Sequence, residues 1–361
     1  MVDRTVVITG ATGLLGRQVS RVFRRKGWNV KGTGFSRADG VDVLKVDLGN
    51  PSEMEKLLEE TNPEVIVHCA AERFPDKVEK DPEGARKLNV SATSSLAQAA
   101  AAKGAFLIYI STDYVFPGRP GEAPYEADSE TNPPNMYGQT KLDGEKAVLA
   151  VNGGKAGSAV VLRVPVLYGS AETPAESAVN VLLDGVWKSQ TEDKKIKMDH
   201  WAPRYPTNTE DVGRSELFDA PNSIVFRMRR LQAGQVLPWN IGNNAPDDEF
   251  MQKANSKLLF CVVDIAEHYL RASDRVSLPK ILQFSSEDRM TKYEMCQKFA
   301  EIMGLPLDNI EPDTKGNDPN ASVQRPYDTH LSTKTLKSLD INLSTCDFTA
   351  WWRRELGAFR K

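Results

Sequence analysis

Cysteine is sparse in this chain, with four among 361 residues, at Cys69, Cys261, Cys296 and Cys346. They are widely separated and form no C-x-x-C pair, so neither a zinc site nor a disulfide framework is indicated, and no metal is expected. An excess of one charge sign is also missing. Lys and Arg number 46 against 49 Asp and Glu, a formal net charge of -3, which gives no broad positive field for nucleic acid. No stretch approaches the ~20 apolar residues that a bilayer span needs, and Met1-Val2-Asp3-Arg4 runs straight into the first apolar segment. These absences point to a soluble, cytoplasmic protein with reduced thiols, no membrane contact and no nucleic-acid partner. With 40% hydrophobic residues the chain has apolar material for one large or two modest domains.

What is present begins with Val6-Val7-Ile8-Thr9-Gly10-Ala11-Thr12-Gly13-Leu14-Leu15-Gly16, where an apolar run feeds into glycines spaced three apart and then into a helical pattern. This reads as a dinucleotide site. Gly10 turns the chain out of the strand, Gly13 lets backbone approach a pyrophosphate, and Gly16 lets the helix pack closely on the sheet. Unpaired N–H groups at the helix start, around Thr12, Leu14 and Leu15, face the phosphates. Glycine triplets also occur in plain turns, but the strand before and the amphipathic stretch after supply the context a nucleotide site requires.

Downstream, strands and helices alternate as in a parallel sheet with right-handed crossovers. Strands are expected at Val6–Thr9, Asn29–Thr33, Val43–Val46, Val65–His68, Phe106–Ser111 and Ala159–Arg163, with helices over residues 14–26, 52–60, 82–103 and 136–151. The second helix is read as opening after Pro51, with Ser52 as its cap. The fold class is therefore α/β, a Rossmann-type doubly wound parallel sheet with a small α/β substrate lobe on its C-terminal side. Residues 1–168 form the nucleotide domain, completed by 207–213 and 262–284, and residues 169–206 and 285–361 form the lobe.

A second chemical signal is Tyr137-Gly138-Gln139-Thr140-Lys141, preceded by Ser111-Thr112-Asp113 at a strand end. Positions i and i+4 share a helix face, so Tyr137 and Lys141 can point into one cleft. Reduction of a carbonyl creates an alkoxide that must be protonated, and a phenol with pKa near ~10 needs help to do this near neutrality. An ammonium at Lys141 would lower that pKa, and the Thr112 hydroxyl would hydrogen-bond the carbonyl oxygen. On its own Y-x-x-x-K describes many solvated helices; the strand-end Thr112 and the upstream glycines raise it above that background.

Ser111-Thr112-Asp113-Tyr114-Val115-Phe116-Pro117-Gly118 with Asn135-Met136-Tyr137-Gly138-Gln139-Thr140-Lys141 resembles the extended short-chain dehydrogenase/reductases, in their dTDP-4-dehydrorhamnose reductase-like branch. Val67-His68-Cys69-Ala70-Ala71-Glu72-Arg73, Ser177-Ala178-Val179, Met198-Asp199-His200-Trp201, Arg204-Tyr205-Pro206-Thr207 and Met290-Thr291-Lys292-Tyr293-Glu294-Met295 are similar to the regulatory beta subunits of methionine adenosyltransferase. The likeness spans about residues 5–213 and 262–350. It implies a cofactor-binding protein whose partner is a methionine adenosyltransferase catalytic subunit and whose role is to modulate S-adenosylmethionine synthesis. In that setting Thr112, Tyr137 and Lys141 serve to hold cofactor; the rival reading is an active NADPH-dependent reductase of a nucleotide-sugar or similar carbonyl.

The cofactor expected is NADP. Sites for NAD place an acid at the end of the second strand, whereas this strand ends Gly34-Phe35-Ser36-Arg37. Arg37 and Ser36 suit a 2′-phosphate, and Phe35 or the Arg37 plane can cover adenine. By resemblance, Asp47 and Leu48 lie near adenine, Cys69 and Arg73 beside the phosphates and ribose, and Leu167 near the nicotinamide. Two departures from the family stand out. Residues 214–261 interrupt it with a segment lacking periodicity, read as a disordered surface insertion. The chain also stops short of the family's longer basic-aromatic tail; Trp351, Trp352 and Phe359 among Arg353, Arg354 and Arg360 have the makeup of exposed partner anchors, while Trp351 and Trp352 equally suit closure of the small lobe's own core.

Overall fold

The computed structural model describes residues 4–151, 158–191, 194–213, 261–341 and 343–358. Strands β1 (Thr5–Thr9), β2 (Asn29–Gly34), β3 (Val43–Lys45), β4 (Val65–His68), β5 (Phe106–Thr112) and β6 (Ala159–Val164) carry the first half of the chain. Short strands β7 (Leu167–Tyr168), β8 (Ile196–Asp199), β9 (Thr207–Asn208), β10 (Ile281–Gln283) and β11 (Ile310–Asp313) follow. Seven of them form a sheet in the order β10-β6-β5-β4-β1-β2-β3, parallel throughout. The order reverses direction beside β1, so the crevice between the ends of β1 and β4 is the place where such sheets receive ligands.

Alternation of side chains explains the layers. Val6 and Ile8 of β1 join Leu15, Val19, Val22 and Phe23 of helix α1 (Leu14–Arg25), together with Val262, Ile265 and Tyr269 of helix Cys261–Arg271, in one fully buried face. Val7, one residue out of phase, packs on the opposite face with Leu57 and Leu58 of α2 (Pro51–Thr61), and with Leu96 and Ala100 of helix Thr93–Lys103. Period-two strands between amphipathic helices thus give two apolar layers on one sheet.

Several details differ from expectation. Asn50, not Ser52, caps α2: its side chain accepts from Ser52 N at 3.2 Å while Pro51 takes the first helical position. The pattern over 82–103 is helical but not uniform, running from Pro82–Arg86 through a π-helical stretch at Lys87–Ala92 into Thr93–Lys103. A short helix, Pro75–Lys80, was not foreseen. Cys261, assigned to the insertion from sequence, is the buried first residue of its helix, while residues 214–260 lie outside the described residues. Of the two readings of Trp351 and Trp352, exposed anchor and lobe core, the structure supports the core and overturns the exposed one. Each is 2% exposed in a separate core with Tyr168, Phe299 and Phe348, because helix Phe348–Glu355 turns its aromatic stripe toward helix Lys292–Met303. Phe359 falls outside the described residues. No helix among the described residues is long and apolar enough to cross a membrane.

Candidate functional site

The glycine loop sits at the C-terminal end of β1, over the crevice. Gly10 has φ of +64°, and a side chain there would come within 2.9 Å of the Ala70 backbone, so the turn requires glycine. A Cβ on Gly16 would lie 2.2 Å from the Gly10 carbonyl oxygen; it is the loop, more than the sheet, that this glycine lets the helix approach. Gly13 caps α1 with no side-chain partner, leaving the first N–H groups of Leu14 and Leu15 open. The Thr12 carbonyl accepts from Arg17 Nη1 at 2.6 Å, which fixes the loop from inside the helix.

The end of β2 leads to Phe35, 64% exposed, then Ser36 and Arg37. Arg37 Nη1 donates to Glu172 Oε2 at 2.9 Å and Glu176 Oε1 at 2.6 Å, and Arg17 Nη2 donates to Glu176 Oε2 at 2.6 Å. Burial works to raise the Glu176 carboxyl, but hydrogen bonds from Arg17 and Arg37 hold it down at about 2. The segment after β7 is therefore strapped across the glycine loop by an Arg–Glu–Arg cluster. Arg17, Glu172 and Glu176 were missed from sequence, since charges 139 and 159 residues apart leave no local pattern.

Near the other expected adenine contacts, Asp47 Oδ1 accepts from Gly49 N at 2.8 Å, and Leu48 is buried against α2. Cys69 follows β4, its thiol pushed up to about 12 by burial, with nearby Lys141 acting the other way. Arg73 lies over the Phe74 ring at 4.3 Å. Leu167, half-buried at the start of β7, accepts on its carbonyl from Ser177 Oγ at 2.7 Å.

Thr112 ends β5, where its hydroxyl donates to Asp113 Oδ1 at 3.0 Å, and Tyr137 lies in the first turn of α6 (Met136–Val151). Burial raises the Tyr137 phenol well above its usual value; the polar Thr112 side chain and the charge of Arg73 oppose the rise. Lys141 is 3% exposed and donates to the Ile110 carbonyl at 2.8 Å, with its ammonium 4.1 Å from the Tyr109 ring centroid. Burial pushes it down to about 7 against the attraction of Glu145. The expected lowering of the Tyr137 pKa by Lys141 is thus not what this arrangement shows; Arg73 supplies the opposing charge. Asp113, also missed, is buried between the Thr112 and Thr329 hydroxyls, and its carboxyl is raised to about 6 by burial.

Behind the site, Asn89 in the π-helical stretch accepts from Glu72 N at 2.8 Å and donates to Thr140 Oγ1 at 3.1 Å, tying the loop after β4 to α6. Arg163 pairs with Glu145 at 2.7 Å, both side chains almost fully buried, and Glu145 also accepts from Ser111. These polar ties position α6 against β5. Such a scaffold can hold an extended dinucleotide along the strand ends and present a phenol to whatever lies beyond it.

Residues 4–224 match the RmlD substrate binding domain family. Over 95% of this chain and 84% of the relative, it is 39% identical to methionine adenosyltransferase 2 subunit beta of Xenopus tropicalis; the Rattus norvegicus protein gives the same identity and coverage. The chain belongs to the methionine adenosyltransferase 2 subunit beta family. A shorter match, 42% identity over 40% of this chain and 41% of the relative, is to dTDP-4-dehydrorhamnose reductase of Mycolicibacterium smegmatis. Among solved structures, the dTDP-4-dehydrorhamnose reductase of Bacillus anthracis str. Ames, in complex with NADP, superposes with a TM-score of 0.69 at 20% identity over 98% of both chains. That likeness establishes the Rossmann-type fold of the subunit beta family member described here.

Proposed function

We propose that this chain is an NADP-binding regulatory subunit that associates with a methionine adenosyltransferase catalytic subunit in the cytoplasm and modulates S-adenosylmethionine formation. The observation that carries this reading is the 39% identity over 95% of the chain to proteins named as a subunit of that enzyme, a name that implies a catalytic partner. NADP is favoured over NAD by the absence of an acid at the end of β2 and by Ser36 and Arg37 in its place. The reductase of similar fold that holds NADP supports the same choice. Gly10, Thr12, Gly13, Leu14, Leu15 and Gly16 cradle the pyrophosphate, and Cys69, Arg73, Tyr137, Lys141 and Leu167 line the nicotinamide half. Residues 1–168 with 207–213 and 262–284 carry the cofactor; residues 169–206 and 285–358 form the lobe toward partner or substrate. The full chain, mixed with its own organism's catalytic subunit and NADP, should co-elute and alter that enzyme's kinetics. No association at micromolar concentrations defeats the reading.

A second reading, NADPH-dependent carbonyl reduction, is favoured by Thr112 at the end of β5 and Tyr137 in the first turn of α6, with Lys141 buried one turn further on. Bound cofactor would supply hydride; Thr112 would orient the carbonyl oxygen, and Tyr137 would release its proton to that oxygen. Tyr137→Phe should then lower any reductase turnover by roughly 10²–10⁴ while leaving partner modulation intact. Loss of modulation in a folded, cofactor-loaded Tyr137→Phe protein would refute this division of roles.

A further inference from the structure

The acid that the end of β2 lacks is delivered to the same place from elsewhere in the chain. Glu172 and Glu176 lie 135 and 139 residues beyond Arg37, and both carboxylates meet its guanidinium on Nη1, at 2.9 and 2.6 Å. Nε and Nη2 of Arg37 have no hydrogen-bond partner among the described residues. The two acids are held differently. Glu176 has a side chain 10% exposed, gripped by Arg17 at 2.6 Å and accepting from the backbone N–H of Glu172 at 3.2 Å. The next residue is pinned as well: Ser177 Oγ donates to the Leu167 carbonyl at 2.7 Å and accepts from the N–H groups of Val179 and Asn180 where helix Asn180–Lys188 begins. The Glu172 side chain is 51% exposed, and its partners are Arg37 at 2.9 Å and, more loosely, Arg17 at 3.6 Å.

Charge decides what this arrangement offers a ligand. Arg17 and Arg37 are cancelled by Glu172 and Glu176, so the cluster is formally neutral before any cofactor arrives. A 2′-phosphate finds the Nε–Nη2 edge of Arg37 open for a bidentate contact but a carboxylate on the adjoining nitrogen, and like charges at that range repel. A ribose 2′-hydroxyl is neutral and meets no such repulsion; a carboxylate is the group that accepts from it in NAD sites. Glu176 is tied to Arg17, which also holds the Thr12 carbonyl of the glycine loop, so Glu172 is the acid free to swing away. We propose that Glu172 is a specificity-determining residue of the cofactor site, whose carboxylate restrains the 2′-phosphate by withholding Arg37. The preference for NADP(H) over NAD(H) is then smaller than Ser36 and Arg37 alone would give. This rests on the NADP reading and assigns an opposing residue within it.

Calorimetric titration of NADP⁺ and of NAD⁺ into the full chain, at one ionic strength, tests this in wild type, Glu172→Gln and Glu172→Ala. Both variants should bind NADP⁺ roughly threefold to tenfold more tightly than wild type and NAD⁺ no more tightly, so that the ratio of the two dissociation constants moves toward NADP⁺. Glutamine keeps the shape of the side chain and removes its charge, and loss of a merely structural residue gives no gain confined to the phosphorylated cofactor. Unchanged or weaker NADP⁺ binding by Glu172→Gln overturns the proposal. An equal gain for both cofactors does so too, as does a gain in Glu172→Ala alone, which would mark steric room instead of charge. The cofactor reading is checked separately in the same series: wild type must favour NADP⁺, and Arg37→Ala must lose that preference. If those two results fail, the placing of the 2′-phosphate at Arg37 falls and this proposal with it; if they hold and Glu172→Gln matches wild type, the restraint alone falls.

Discussion

Arg37 meets a carboxylate on each side before any nucleotide arrives, and that defines what its replacement should do. The guanidinium is the only cation placed at the end of β2 among Gly34, Phe35, Ser36 and Arg37, yet it is shared with Glu172 and Glu176. A 2′-phosphate must therefore compete with, or displace, an existing ion pair, and the Arg37 side chain, 45% exposed, contributes less than a buried partner would. Arg37→Ala should weaken NADP(H) binding by about 1.5 kcal/mol, the lower end of the range for hydrogen bonds to charged groups, and leave NAD(H) binding nearly unchanged. Equal affinity of the wild type for the two cofactors in calorimetry would contradict the assignment. His68 makes a second prediction at this scale. It is buried at the end of β4, with Nδ1 2.6 Å from Thr9 Oγ1 and Nε2 2.9 Å from Thr93 Oγ1, and burial pushes its pKa down to about 3, aided by Lys141. The fold thus requires a neutral imidazole. Its stabilising contribution is complete above the unfolded value near ~6.5 and declines as pH falls from there toward the folded value, because only the unfolded chain takes up the proton. At pH 5 the loss should be about 2 kcal/mol relative to pH 7.5. Urea titrations of wild type and His68→Gln at both pH values check this; an equal pH effect in the two proteins would sink it.

At the scale of elements, the sheet was legible because each strand carries its own signal. The apolar runs at Val65–His68 and Phe106–Thr112 are buried on both faces, and their β-branched and aromatic content marks them without help from distant residues. The glycine loop was legible for a similar reason: strand, turn and helix start lie within eleven consecutive residues. Less legible were features set by tertiary contacts. The π-helical stretch at Lys87–Ala92 brings Asn89 to Glu72 and Thr140, and nothing in the local helical periodicity announces that adjustment. Ser52 looked like a cap because serine commonly is one, but Pro51 fixes the first turn one position earlier and Asn50 offers a better placed acceptor. The Arg17–Glu176–Arg37 cluster and the Asp113 pair of hydroxyl contacts join residues far apart in sequence. Their chemistry could be read only after the fold had assembled them.

Across the whole molecule, the fate of the two tryptophans changes how partner docking must be framed. Trp351 and Trp352 stack against Tyr168 and Phe299 inside the small lobe, so replacing either with alanine would open a cavity and cost several kcal/mol, of order 3–5, without testing any interface. Of the aromatic residues read as anchors, Trp351 and Trp352 belong to that core and Phe359 lies outside the described residues, while Arg353 and Arg354 are part-exposed on the helix. Gly357 has φ of +62°, and Ala358 N donates back to the Arg353 carbonyl at 2.8 Å, which closes the helix before Phe359. Deleting residues 359–361 therefore preserves the helix end, the aromatic core and both ion pairs of its outer face, Arg353 with Glu301 and Arg354 with Glu210. If Phe359 and Arg360 anchor the methionine adenosyltransferase catalytic subunit, this deletion should reduce association by roughly tenfold or more with the unfolding temperature unchanged, since interface anchors contribute on the order of 1.4 kcal/mol or above. Side-by-side binding and thermal scans decide it: undiminished association removes the tail from the interface, and a lowered unfolding temperature returns Phe359 to the lobe's own core.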